Sequence, residues 1–137
     1  MKISLCSIIV DDQDKALAFY RDKIGFIVKD DIPMGPPGAP RWITLASPED
    51  PDGARISLEP NGYPFVKSYQ QELKSQGIPL TAFLSGDIQA DYERLVAEDV
   101  TFKGPPSAGD AAMPATVTLD DTCGNWIMLY QAPGEGR

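Results

Sequence analysis

Histidine is absent from this sequence. Its absence removes Ser-His-Asp and Cys-His catalysis and every metal site that needs an imidazole, so any chemistry must use carboxylates, hydroxyls, Tyr, Lys, Arg or a thiol. Cysteine is scarce as well. Cys6 and Cys123 are too few for a disulfide framework, and neither belongs to a CxxC pair that would point to zinc or redox chemistry. A single bridge between them remains open. No apolar run approaches the roughly 20 residues that a bilayer span requires. The apolar stretch ending at Val10 lacks a long hydrophobic region and a small-residue cleavage site. No signal peptide is therefore expected, and the protein is expected to be cytoplasmic and away from membranes. Positive charge is also in short supply. With 12 basic against 20 acidic residues the net charge is −8, which makes nucleic acid and anionic membranes poor partners and favours neutral or cationic ones.

What is present is enough for one core: 137 residues, 42% of them hydrophobic. Residues 3–10 read as a strand, with Ile8 and Val10 on one face and Leu5, Ser7 and Ile9 on the other. Asp12 is a candidate N-cap for a helix carrying Ala16, Phe19, Tyr20 and Lys23, which Gly25 stops. Strands are expected at 26–29, 41–46 and 55–59, interrupted by the loop Gly35-Pro36-Pro37-Gly38 and the turn Asp50-Pro51-Asp52-Gly53. The loop has no phosphate-loop spacing and no following Lys-Ser or Lys-Thr, so it gives nucleotide binding no support. A linking helix at 64–76 carries an apolar stripe of Phe65, Val66, Tyr69 and Leu73. The order of elements then begins again: a strand at 80–84, a helix capped by Asp87, and strands at 100–103, 115–120 and 126–131. Residues 132–137 read as a disordered tail.

This recurrence can be checked residue by residue. Asp50, Gly53, Ile56 and Leu58 recur as Asp121, Gly124, Ile127 and Leu129 at an offset of 71, and the caps Asp12 and Asp87 lie 75 apart. With the matching order of elements, a duplicated β-α-β-β-β module is the economical reading.

That module, together with Val10-Asp11-Asp12-Gln13-Asp14-Lys15-Ala16-Leu17-Ala18-Phe19-Tyr20 and Lys23-Ile24-Gly25-Phe26, resembles the vicinal oxygen chelate superfamily, the group of glyoxalases, bleomycin-resistance proteins and extradiol dioxygenases. The resemblance spans residues 3–131. It implies an α+β fold in which two tandem βαβββ modules form a curved mixed sheet of eight strands around a cavity. Residues 1–131 would then be one domain, with module one at 3–60 and module two at 79–131. Enzymes of this family hold a divalent metal through the first and last strands of each module. Those four stations fall here on Leu5, Ser57, Leu80 and Met128, none of which is the His, Gln or Glu that such a site needs. No metal and no other cofactor is therefore expected.

Alternation along the strands then writes the lining of such a cavity: Leu5, Ser7 and Ile9; Trp42 and Thr44; Ser57 and Glu59; Leu80, Ala82 and Leu84; Thr116 and Thr118; Trp126, Met128 and Tyr130. Mainly apolar, with hydroxyls, two Trp and one carboxylate, it fits a small-molecule site; the same Leu and Met residues would also fill an ordinary core. Glu59 stands out, because a carboxylate in an apolar pocket has a raised pKa and suits a general base or a counter-ion. Pro60 follows it, so Glu59 can equally lie at the rim, solvated or paired with Arg41 or Arg55. Trp42, Trp126 and Tyr130 offer flat faces for a planar or cationic group, or pack among themselves.

The expected function is metal-independent binding of a small aromatic or cationic organic molecule, similar to the drug-sequestering branch of the family, which implies a homodimer. The alternative is a glyoxalase-like lyase or isomerase, or a dioxygenase, with a non-standard metal site or with Glu59 as catalytic base.

Overall fold

A computed structural model describes residues 1–134. The chain divides between Gln70 and Gln71 into two compact units, and each repeats the same plan.

The first unit opens with β1 (Leu5–Val10) and α1 (Gln13–Ala18). Asp12 caps α1 as its sequence position suggests: its carboxylate accepts the Lys15 N–H at 2.9 Å. The helix widens into a π-helical turn, Phe19–Ile24, and ends at Gly25, whose φ of 95° is open to glycine at little cost. Strands β2 (Ile27–Pro33), β3 (Arg41–Ala46) and β4 (Arg55–Pro60) follow. They form one sheet in the order β1-β4-β3-β2, with β1 parallel to β4 and the other pairs antiparallel. One face is closed over Ile8, Val10, Phe19, Tyr20, Ile43, Leu45 and Leu58, all buried. Each such side chain contributes about 1.5–3 kcal/mol on leaving water.

Helix α2 (Pro64–Ser75) crosses the boundary between the units. Its expected apolar stripe is not the buried one, for Phe65 and Tyr69 are 73% and 55% exposed. Gln70 is buried instead, donating to the Ile9 carbonyl at 3.0 Å and accepting from Asn61 at 2.8 Å. Hydrogen bonding goes with the buried position, because the Gln70 amide both donates and accepts there.

The second unit holds β5 (Pro79–Leu84), α3 (Ile88–Ala97), β6 (Ala115–Asp120) and β7 (Trp126–Gln131). The sheet order is β5-β7-β6, with β5 parallel to β7. Asp87 caps α3 through the Ala90 N–H at 3.1 Å. The duplication reaches the register. Ser7 stands beside Ser57 and Ile8 beside Leu58 in one sheet, as Ala82 stands beside Met128 and Phe83 beside Leu129 in the other. These pairs are related by the same offsets of 75 and 71 that relate the caps and the turns.

Two strand expectations need correction. The strand expected at 26–29 begins at Ile27 and runs on to Pro33, pairing with β3 on both sides of a bulge at Lys29. The strand expected at 100–103 is reduced to a single bridge between Phe102 and Leu119. Asp99 before it takes the left-handed conformation at φ 62°, and Pro105 and Pro106 after it have no N–H to extend a ladder. Among the described residues there are therefore seven strands, four and three, in place of the eight expected. Of the tail, residues 132–134 end in a turn; 135–137 lie outside the described residues.

Candidate functional site

One face of the first sheet is where the expected site residues of that unit meet. Alternation puts Ser7 and Ile9 of β1, Ser57 and Glu59 of β4, and Trp42 and Thr44 of β3 on this face, opposite the buried Ile8, Leu58 and Ile43. The register lines up Ser7, Ser57, Thr44 and Asp30 across four strands. A chain of hydrogen bonds follows this row. Ser57 Oγ donates to Glu59 Oε1 at 2.9 Å and lies 3.5 Å from Ser7 Oγ. Thr44 Oγ1 donates to Asp30 Oδ2 at 2.7 Å, and Arg55 Nη1 donates to the same oxygen at 3.1 Å. Ser57 and Thr44 are buried, Ser7 is exposed and Trp42 is half-buried.

Glu59 is half-buried, and neither Arg41 nor Arg55 pairs with it. Arg55 pairs with Asp30, and Arg41 pairs with Asp14 at 2.6 Å and Asp31 at 3.0 Å. These two carboxylates raise the Arg41 guanidinium above its ordinary range. Glu59 thus keeps a carboxylate oriented by a serine hydroxyl and uncompensated by any ion pair among the described residues.

Asp30 and Arg55 belong to this polar row, although strand alternation did not single them out. A bulge between Val28 and Asp30 shifts the register so that Asp30, and not Lys29, stands opposite Thr44. A bulge re-aims a side chain without leaving a periodic trace in the sequence.

One face of the second sheet carries Thr116 and Thr118 of β6 and Trp126, Met128 and Tyr130 of β7, all half-buried and alternating with buried Val117, Ile127 and Leu129. Thr118 stands opposite Met128, and Thr116 opposite Tyr130. By the duplicated register, Met128 occupies the place of Ser57 and Tyr130 that of Glu59, so this face is the apolar counterpart of a polar one. The Trp126 ring already faces protein cations. Lys74 Nζ sits 4.0 Å from its centroid and Lys103 Nζ 5.3 Å, while the indole N–H donates to the Lys74 carbonyl at 3.1 Å. Lys74 also pairs with Asp120 at 2.9 Å. Cys6 is exposed and Cys123 buried, and both are free thiols.

The four family metal stations bring one buried hydroxyl, Ser57, one thioether, Met128, and two aliphatic side chains, Leu5 and Leu80. Ser57 is already engaged with Glu59, and Leu5 is 42% exposed on an edge strand. This donor set does not fit a hard or borderline divalent ion. Among the described residues no three His, Cys, Asp or Glu side chains are grouped to hold one. No helix of the described residues is long and apolar enough to cross a membrane.

Two sheets built on one repeated βαβ-type plan define a duplicated α+β fold. Residues 2–129 match the model of the Glyoxalase/Bleomycin resistance protein/Dioxygenase superfamily, and the chain belongs to that superfamily. The uncharacterized protein YurT of Bacillus subtilis (strain 168) is 48% identical over 132 residues, which is 96% of this chain and 99% of the relative. Among solved structures, UcmS2 is similar at 28% identity and a TM-score of 0.79, covering 95% of this chain and 97% of its own. TnmS3, an antibiotic binding protein from Streptomyces sp. CB03234, is similar at 25% identity and a TM-score of 0.69, with 96% and 95% covered. The α+β fold is that of this superfamily, and membership is compatible with small-molecule binding.

Proposed function

We propose that the protein binds a small aromatic or cationic organic molecule without using a metal. The observation that carries this reading is Glu59: a half-buried carboxylate on the sheet face opposite Ile8, Ile43 and Leu58, oriented by Ser57 at 2.9 Å and free of any ion pair among the described residues. A cation that meets it gains the attraction of an opposite charge in a partly desolvated place, whether or not it carries an N–H. Trp42 shares this face and supplies a ring for stacking. The likeness to TnmS3, an antibiotic binding protein, supports binding of a small molecule. A cytoplasmic homodimer is the assembly that goes with this reading.

A second reading rests on the Ser57–Glu59 hydrogen bond, which would suit Glu59 as a general base in a lyase or isomerase of this superfamily. The Glu59→Gln protein separates the two. Weakened binding of the planar cation berberine, with binding of the neutral N-phenyl-1-naphthylamine kept, supports capture of cations. Loss of turnover of a dicarbonyl-derived substrate with binding kept supports the enzyme.

A further inference from the structure

β3 and β4 are not zipped along their whole length. Their pairing runs from Ala46 beside Arg55 to Thr44 beside Ser57 and stops there. Continuing the register would set Trp42 opposite Glu59 and Arg41 opposite Pro60. Proline has no N–H, so the Arg41 carbonyl could draw no ladder bond from it.

The side-chain amide of Gln13, the first residue of α1, lies where that bond is missing. Its Nε2 donates to the Arg41 carbonyl and to the Leu58 carbonyl, both at 2.8 Å, and its Oε1 accepts the Arg41 N–H at 2.9 Å. One amide therefore bridges both strands and satisfies both backbone groups of Arg41. The neighbouring Asp14 grips the Arg41 guanidinium from the same helix. Trp42 follows Arg41 and Glu59 follows Leu58, and both project to the face opposite α1.

We infer that Gln13 is a positioning residue: it replaces the ladder bond that Pro60 cannot give, and so fixes the spacing of Trp42 and Glu59 across the unzipped end of the sheet. Gln13 would touch no bound molecule. It acts through the two residues that the proposed binding reading uses, and it rests on that reading only for its effect on affinity.

The test compares the full-length protein with Gln13→Leu, which keeps the bulk and loses all three hydrogen bonds, and with Gln13→Glu, which keeps the acceptor for Arg41 N–H and loses both donors. Amide exchange and the two indole N–H signals are followed by NMR, and berberine binding by fluorescence. Gln13→Leu should raise Arg41 amide exchange and shift the Trp42 indole signal, leaving Trp126 and the β7 amides unchanged. Berberine binding should weaken about tenfold, the scale expected when a supporting contact is lost and the contacting groups loosen. Gln13→Glu should keep the Arg41 amide protected and still move Trp42. If both variants leave Arg41 and Trp42 as in the parent, the inference is overturned. It is also overturned if the signals move and berberine affinity does not. If the parent fails to bind berberine, the functional reading falls, while the Arg41 and Trp42 signals still decide the role of Gln13. Should Gln13→Leu not fold, Gln13→Glu carries the same comparison.

Discussion

The repeated aspartates Asp50 and Asp121 head equivalent turns, yet they should respond very differently to truncation. Asp121 is fully buried, and its carboxylate accepts from the Cys123 N–H at 2.7 Å, the Asn125 N–H at 3.0 Å and the Asn125 side-chain amide at 2.8 Å. It thereby holds a turn in which Thr122 takes φ 62°, a conformation rare for a branched residue. Removing the carboxylate leaves at least three buried donors without a partner, each costing about 1–3 kcal/mol. Because one relaxed turn can recover part of this, the expected loss for Asp121→Ala is about 3–5 kcal/mol. For a chain of this size that is a fall in Tm of about 10–15 °C. Asp50 is exposed, and its turn closes through its backbone, with the Gly53 N–H donating to the Asp50 carbonyl at 3.0 Å. Asp50→Ala should stay within about 0.5 kcal/mol of the parent. Thermal and urea unfolding of the two variants side by side would measure the difference. Equal losses would refute the reasoning, because sequence equivalence and not burial would then be setting the cost.

Other positions give sharp expectations. Gly109 has φ +65°, and a Cβ there would lie 2.6 Å from the Ala115 backbone nitrogen; Gly109→Ala should cost about 1–3 kcal/mol and shift the β6 amides in NMR spectra. Lys74→Met removes the cation 4.0 Å from the Trp126 ring and the ion pair with Asp120. It should cost only about 0.5–1 kcal/mol in unfolding experiments, because these groups are part-exposed, and should change Trp126 fluorescence.

Local signals carried much of the fold into view. Asp12 and Asp87 each accept the N–H three residues on, as N-caps do. The recurrence of Asp-x-x-Gly with Ile and Leu beyond it marks two central strands whose registers coincide. The alternation that grouped Ser7, Ser57, Glu59, Trp42 and Thr44 on one face is the alternation of β1, β4 and β3. What stayed hidden depends on partners far along the chain. Gln13 and Gln70 bond to backbone groups 28 to 61 residues away, and nothing in their neighbourhoods distinguishes them from surface glutamines. Asp30 reaches its row through a bulge, and 100–103 loses its ladder to a left-handed Asp99 and two prolines. Val100, Thr101 and Phe102 suit a strand by residue type, and the context overrides them.

The central claim is that a carboxylate, and not a metal, gives this face its affinity for a cation. The measurement that tests it most directly is a berberine titration of tag-free parent and Glu59→Gln proteins, with and without EDTA, with bound Ni, Zn, Mn and Fe counted on the same samples. The account predicts binding by the parent that EDTA leaves unchanged, binding weakened about tenfold by Glu59→Gln, and metal far below one per chain. Near-stoichiometric metal with binding abolished by EDTA, or affinity indifferent to Glu59→Gln, would contradict it.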